Sequence, residues 1–266
     1  MTSPSEWRGT TVATEIFVLT EKSLRKLVTD PKLLLFSVVQ PLILLVLFGE
    51  IFSSIANTPN FPHGVGYIDF LVPAILVNTA MQSALLSGVG LNEDIKNGII
   101  ARLRSLPIWL GSVLVARSLF DLARGAVRQV VLVVLAFALF GFSPAGGVPG
   151  VLGAVALALV IGWGLGWVFL ALACWLRNAE AMQGVGFVVM FPLMFASSAF
   201  VPVSGLPGWV RVVATVNPMT YGVDAARSLS LNQPAVASAG ATLAISSMIA
   251  LIGATLAVYG FRRPMK

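Results

Sequence analysis

Few residues in this chain could do covalent chemistry. There is one cysteine, Cys174, and one histidine, His63. A disulfide framework within the chain is therefore excluded, and so is a Cys/His metal cluster. Cys174 lies in an apolar run and reads as a small packed hydrophobe. No histidine stands near a serine or cysteine nucleophile inside an apolar segment. No GxxxxGK[ST] phosphate loop occurs, so ATP cannot be bound by that route. A GxGxxG-like spacing around Gly162 falls inside an apolar run rather than at a strand-to-helix turn. What remains is charge placed among apolar residues: Arg117, Asp121, Arg124 and Arg128. Arg117, Asp121 and Arg124 stand at (i, i+4) and (i, i+3) spacing, which reads as an ion-pair network on one helix.

The elements that carry these residues are set by composition. Of 266 residues, 57% are hydrophobic and only 11% charged, against about 25% charged in a soluble domain. Mean hydropathy is +0.91. A soluble core cannot hide that much apolar surface, whereas a bilayer lets it face outward. The net charge of +6 does not point to nucleic acid, because the basic residues lie between long apolar runs and are not interleaved with aromatics.

A membrane-crossing helix needs about 20 mostly apolar residues. Six segments qualify, roughly 33–54, 68–91, 112–141, 148–175, 183–203 and 237–261. The expected fold is all-α, a single polytopic domain with six transmembrane helices. The third span is apolar only in its second half, so its start should project from the membrane or line a wet, protein-packed region. With the N-terminus inside, 15 of 17 Lys and Arg residues fall on the inner side and only Arg211 and Arg227 outside. Both termini are therefore expected in the cytoplasm. The N-terminus lacks a small-residue cleavage site after its charged start and reads as retained.

Before the first span, Val12, Ile16, Leu19, Leu24 and Leu27 fall on one half of a helical wheel. Glu15, Glu21, Lys22, Arg25 and Lys26 fall on the other. Residues 12–30 thus form an expected amphipathic helix lying in the membrane interface, ended at Asp30-Pro31. In the fourth span, Gly162 and Gly166 make a small-xxx-small pair suited to close helix approach. The longest loop between spans on the inner side, 93–107, opens acidic at Glu93 and Asp94 and turns basic at Arg102 and Arg104. Ile95, Ile99, Leu103 and Leu106 recur along it at helical spacing. On the outer side, 204–233 is broken by Pro and Gly into two short helical pieces, with Trp209 and Tyr221 suited to an interface.

Two of these segments carry a resemblance. Asp94, Gly98, Leu103 and Pro107 are similar in type and spacing to a loop of the type-2 ABC exporter permeases, in particular the daunorubicin-resistance-like branch. Asp94, or Glu93, stands where that family has glutamate. Phe200, Pro202, Pro207 and Trp209, followed by Asn217, Pro218, Thr220 and Arg227, resemble a second stretch of the same family.

The resemblance implies that 93–107 is a coupling helix against a separate cytoplasmic ATPase, through Glu93, Asp94, Ile95, Gly98, Ile99, Arg102, Leu103, Arg104 and Pro107. Arg177 and Glu180 would make a smaller contact. It implies a re-entrant external cap holding Pro202, Pro207, Trp209, Asn217, Pro218, Tyr221 and Arg227. It also implies a homodimer, or a heterodimer with a similar permease, around a pathway lined by the first, second and fifth spans. Gln40, Asn78, Gln82, Ser197 and Ser198 are the polar candidates for that pathway. The chain itself would bind no cofactor; ATP and Mg would sit on the partner. The expected function is export of a hydrophobic or amphipathic compound such as an antibiotic, drug or lipid-like metabolite. Export of a cell-envelope glycan or lipid-linked polymer, and a passive channel or scaffold, are the alternatives. An intramembrane enzyme lacks a nucleophile–base pair.

Overall fold

The structure is a computed structural model that describes residues 31–58, 61–62, 64–104, 110–234 and 236–261. The expected amphipathic helix at 12–30 and Pro107 lie outside the described residues. Among those residues the secondary structure is helical, with no strand. In chain order the helices are α1 (Pro31–Ile51), α2 (Tyr67–Lys96), α3 (Ile99–Arg104), α4 (Leu110–Phe140) and α5 (Gly147–Leu176). α6 (Ala179–Phe195), α7 (Gly208–Val216), α8 (Pro218–Ser230) and α9 (Val236–Phe261) complete the series. Helices are the way to satisfy backbone groups within a segment when no water is at hand.

Four of them, α2, α4, α5 and α9, are long and apolar enough to cross a membrane, and α1 and α6 contain shorter apolar stretches. This is a multi-pass membrane architecture. α2 and α5 lie at its centre. α2 is buried without interruption from Phe70 to Met81, and the main apolar core packs Leu71, Ile75 and Leu76 against Ala154, Leu157 and Ala158 of α5.

Two aromatic and apolar clusters define the ends of the bundle. At one, Phe48 of α1 stacks on Phe200 with centroids 4.1 Å apart, next to Tyr67 at the start of α2. At the other, Leu91, Ile100, Val113, Leu114, Cys174 and Phe261 share one cluster. α1 therefore ends, and α2 begins, at the Phe200 end. α9 finishes beside α3 at the other. The two termini of the described chain emerge at the same end of the bundle.

Four expected spans match closely: 112–141, 148–175 and 237–261 become α4, α5 and α9, and 33–54 becomes α1, three residues shorter at its C-terminal end. α4 is one unbroken helix through its charged first half. α2 runs five residues past its expected end, so Glu93 and Asp94 belong to it rather than to a separate helix over 93–107. The expected span 183–203 ends eight residues early. α6 stops at Phe195, and 196–202 is bent chain whose residues Ser197 to Phe200 are nonetheless buried.

The small-xxx-small pair also divides. A Cβ on Gly162 would lie 2.8 Å from the Ala80 carbonyl oxygen, so this glycine lets α5 close on α2 within the chain. A Cβ on Gly166 would meet nothing within 4 Å. Other tight contacts of α5 come instead from Gly164, whose Cβ would lie 2.7 Å from the Ser246 carbonyl of α9, and from Gly150, whose Cβ would lie closer still to the Leu229 carbonyl of α8.

Candidate functional site

At the α3 end, α2 terminates because Gly98 takes φ +71°, a left-handed conformation that glycine adopts without penalty. The Asn97 N–H donates to Glu93 O at 2.8 Å and the Gly98 N–H to Ile95 O at 3.1 Å, which satisfies carbonyls the helix end would leave open. The chain re-enters a helix at once, with Arg102 N–H donating to Gly98 O at 3.1 Å.

This turn decides which residues α3 shows. Ile100 is 2% exposed and packs with Leu91, Val113 and Leu114, and Ile95 and Leu103 lean on the same cluster. Ile99 is 44% exposed, and Glu93, Lys96 and Arg102, close to it in the chain, are exposed as well. Of the three apolar residues expected in the coupling contact, Ile99 faces out, while Ile95 at the end of α2 and Leu103 of α3 lean on the bundle.

Asp94 pairs with Arg117 of α4. Arg117 also lies 3.7 Å from Asp121, and Arg124 reaches Asp121 at 3.4 Å. Ser87 of α2 donates its hydroxyl to Asp121. Further along α4, Arg128 is buried and donates to the Thr79 carbonyl at 2.8 Å. The expected intrahelical network is present, and it extends into a polar seam that fastens α4 along α2.

At the same end, Arg177 closes α5 with φ +49°. The Asn178 side chain then accepts from Glu180 N–H and Ala181 N–H at 2.9 and 3.0 Å, starting α6. The negative charge of exposed Glu180 sits favourably in that first turn. Arg177 and Glu180 thus share an end of the bundle with α3.

The opposite end is organised by Arg227 of α8. Its guanidinium is buried and donates to Phe70 O at 3.1 Å, Ser198 O at 2.9 Å and Ala199 O at 3.4 Å. It pairs with Asp224 at 3.1 Å and lies 3.5 Å over the Phe70 ring. Tyr67 OH donates to Phe200 O at 3.1 Å. The Asn217 amide donates to Leu193 O and Ala196 O at 2.7 and 2.6 Å, while its oxygen accepts from Met219 N–H at the start of α8. Pro218 comes next, at the first helical position, where no N–H is needed. The bent 196–202 segment is tolerated inside the bundle because its carbonyls at 196, 198, 199 and 200 all have donors. The apolar signal at 183–203 gave no hint of this.

The rest of the expected cap is looser. Pro202 precedes a single 3-10 turn at Val203–Gly205, and Pro207 precedes α7. Trp209 is 76% exposed, and Tyr221 is exposed with its hydroxyl donating to Thr215 O.

The pathway candidates are dispersed. Gln40 is exposed on α1, Asn78 is buried in α2, and Gln82 is half-buried. Ser197 donates to Met194 O at 2.7 Å, and Ser198 donates to Asp224 at 2.6 Å, so both serve the broken helix.

An all-helical bundle of long apolar helices, with a charged seam at one end and a broken, pinned helix at the other, defines a multi-pass membrane protein. Residues 14–231 match the ABC-2 type transporter family, and the chain belongs to that family. It is 30% identical over 233 residues to a daunorubicin resistance ABC transporter permease protein of Streptomyces coeruleorubidus, covering 87% of this chain and 80% of that one. It is 28% identical to a putative transport permease of Porphyra purpurea, over 82% of this chain and 74% of that one. A probable doxorubicin resistance ABC transporter permease protein of Mycobacterium tuberculosis is 23% identical over 98% of this chain and 95% of its own length. The chain is thus an ABC-2 permease homologous to drug-resistance permeases, and membership of an ABC transporter family implies an ATP-binding partner subunit.

Proposed function

We propose that this chain is the membrane-spanning subunit of an exporter that moves a hydrophobic or amphipathic compound across the cytoplasmic membrane, driven by a separate ATPase. The relatives whose names refer to daunorubicin and doxorubicin resistance support that cargo class. α1, α2, α4, α5, α6 and α9 are the six crossings, and α7 and α8 form the re-entrant external cap. The α3 end faces the cytoplasm, because the inner side collects 15 of the 17 basic residues. Two copies, or one copy and a similar permease, enclose the pathway, and each docks an ATPase that carries the ATP and Mg.

The observation that carries this proposal is the α2–α3 corner. Ile99 is an exposed apolar side chain close in sequence to the exposed charges Glu93, Lys96 and Arg102, a composition suited to a small docking face with an apolar centre and a charged rim. Through Asp94 and Arg117 the same corner is fastened to α4, and Ile100 shares its apolar cluster with Leu91 of α2 and Leu114 of α4, so a push on α3 reaches two spans. Co-purification with candidate ABC ATPases from the same organism, followed by a screen for compounds that stimulate ATP hydrolysis, tests it. Stoichiometric binding with stimulation by amphipathic compounds is expected. Failure to bind any of those ATPases, or ATP turnover by this chain alone, overturns it.

A further inference from the structure

Arg117 of α4 stands between two carboxylates. It pairs with Asp94 near the end of α2, and its Nε lies 3.7 Å from Asp121 Oδ2, one turn along its own helix. That Nε is buried and donates no hydrogen bond. A hydrogen bond to a carboxylate oxygen spans about 2.7–3.2 Å, so a side-chain movement of about 0.5–1 Å would make one. Asp121 is held ready for it, since its Oδ2 accepts the Ser87 hydroxyl and its Oδ1 lies 3.4 Å from Arg124.

Gly90 keeps the seat on Asp94 open. A Cβ there would overlap the Arg117 guanidinium, which crosses α2 at this glycine to reach Asp94 one turn further on. Glycine inside a helix costs stability against alanine, and what it provides here is passage for a planar cation.

The two seats balance different effects. The Asp94 side chain is 34% exposed and the Asp121 side chain 10%. A partly exposed pair contributes little, and water can replace the guanidinium when it leaves. The drier seat supplies the acceptor that Nε lacks, but crowds Arg117 and Arg124 around one carboxylate. They also respond differently to movement. Asp121 rides on α4 with Arg117, so its distance is untouched when α2 shifts, whereas the Asp94 contact stretches at once.

We infer that Arg117 is a two-position latch. Seated on Asp94 it ties the α2–α3 corner to α4; seated on Asp121 it leaves that corner free, and Gly90 is the positioning residue for the first seat. Such a two-state element is what carries energetic coupling between distant parts of a protein. That a docked ATPase drives the exchange rests on the export reading; the two seats do not.

Unfolding midpoints of the purified full-length permease test the seats. If each carboxylate receives Arg117 when the other is lost, Asp94→Asn with Asp121→Asn should lower the midpoint beyond the sum of the single variants, by roughly 2 °C or more. The excess should vanish in an Arg117→Met background. Gly90→Leu should replace Asp94→Asn in this cycle with the same excess, and Gly90→Ala, which meets the same guanidinium, serves if the leucine variant does not fold. Additive midpoints, or an excess that survives Arg117→Met, would overturn the latch. Its use is tested in the complex with a docked ATPase in nanodiscs, with spin labels at the exposed Leu86 of α2 and Leu119 of α4 in a Cys174→Ser background. ATP with vanadate should move the label distance of the parent chain to that of Asp94→Asn, and Asp121→Asn should hold it fixed. An Asp121→Asn chain that moves like the parent would overturn the proposed role in coupling. A parent chain that docks no ATPase would overturn the export reading instead, and the midpoints would still decide the latch.

Discussion

Replacing Arg227 by methionine would keep most of its volume and remove every donor it offers. Three short contacts would go, to Phe70 O, Ser198 O and Asp224, together with the longer one to Ala199 O. A hydrogen bond from a charged donor contributes about 1.5–3 kcal/mol, and a buried carbonyl left unpaired costs about 1–3 kcal/mol. Shared geometry keeps these from adding in full, and breaking a buried charged pair from one side costs about 3–5 kcal/mol. A loss of roughly 4 kcal/mol is therefore expected, which corresponds to a fall of roughly 10 °C in unfolding midpoint for a chain of this size. Asp224→Asn is the control. The Asp224 side chain is 47% exposed, and exposed pairs contribute at most about 1 kcal/mol. The measurement is the detergent-solubilised unfolding midpoint of both variants against the parent chain. A shift in Arg227→Met no larger than that of Asp224→Asn would mean that the carbonyls of 196–202 do not depend on this guanidinium.

Ile99→Ala should weaken ATPase docking roughly thirtyfold, a loss of about 2 kcal/mol, and leave the unfolding midpoint unchanged. Ile100→Ala should do the reverse, losing about 2–5 kcal/mol of stability; pull-down and thermal unfolding read the two apart. Gly162→Val should cost roughly 1–3 kcal/mol, because its Cβ would crowd the Ala80 carbonyl and force α2 from α5, whereas Gly166→Ala should be neutral or stabilising in the same melt. In a Cys174→Ser background, cysteine at Asn232 should be labelled from outside intact cells and cysteine at Lys96 only after the membrane is opened. The opposite pattern would invert the proposed orientation.

The four long apolar helices α2, α4, α5 and α9 were legible because twenty apolar residues in a row have few other uses. The Arg117–Asp121–Arg124 network was legible from spacing on one helix. Its cross-links were not, because Ser87, Asp94 and Thr79 meet α4 only once α2 and α4 lie antiparallel. The facing of α3 departs from the periodic reading at a single residue. Ile95, Ile99 and Leu103 form one stripe on a continuous helix, but the left-handed turn at Gly98 breaks the period and rotates α3 relative to the end of α2. Ile99 is thereby turned outward and Ile100 inward, so a glycine chosen for a turn also chooses which isoleucine a partner can touch.

The end of α6 was hidden for a different reason. Hydropathy weighs side chains, and from Phe195 to Val203 they are apolar or small, so the run looks like more helix. What stops it is the supply of donors to its backbone: Asn217 to the carbonyls at 193 and 196, Arg227 to those at 198 and 199, and Tyr67 to that at 200. Those donors lie up to 133 residues away in the chain. The sequence did carry their trace, as a polar Asn217 before Pro218 and as Arg227, one of only two basic residues in the stretch 204–233. A basic residue buried in an apolar bundle needs internal partners, and Arg227 finds several. The two arginines of that stretch divide accordingly: Arg211 stays at the surface and donates to Ser204 O and Leu206 O within its own loop. Arg227 goes inward and pins the break on which the fold of that end depends.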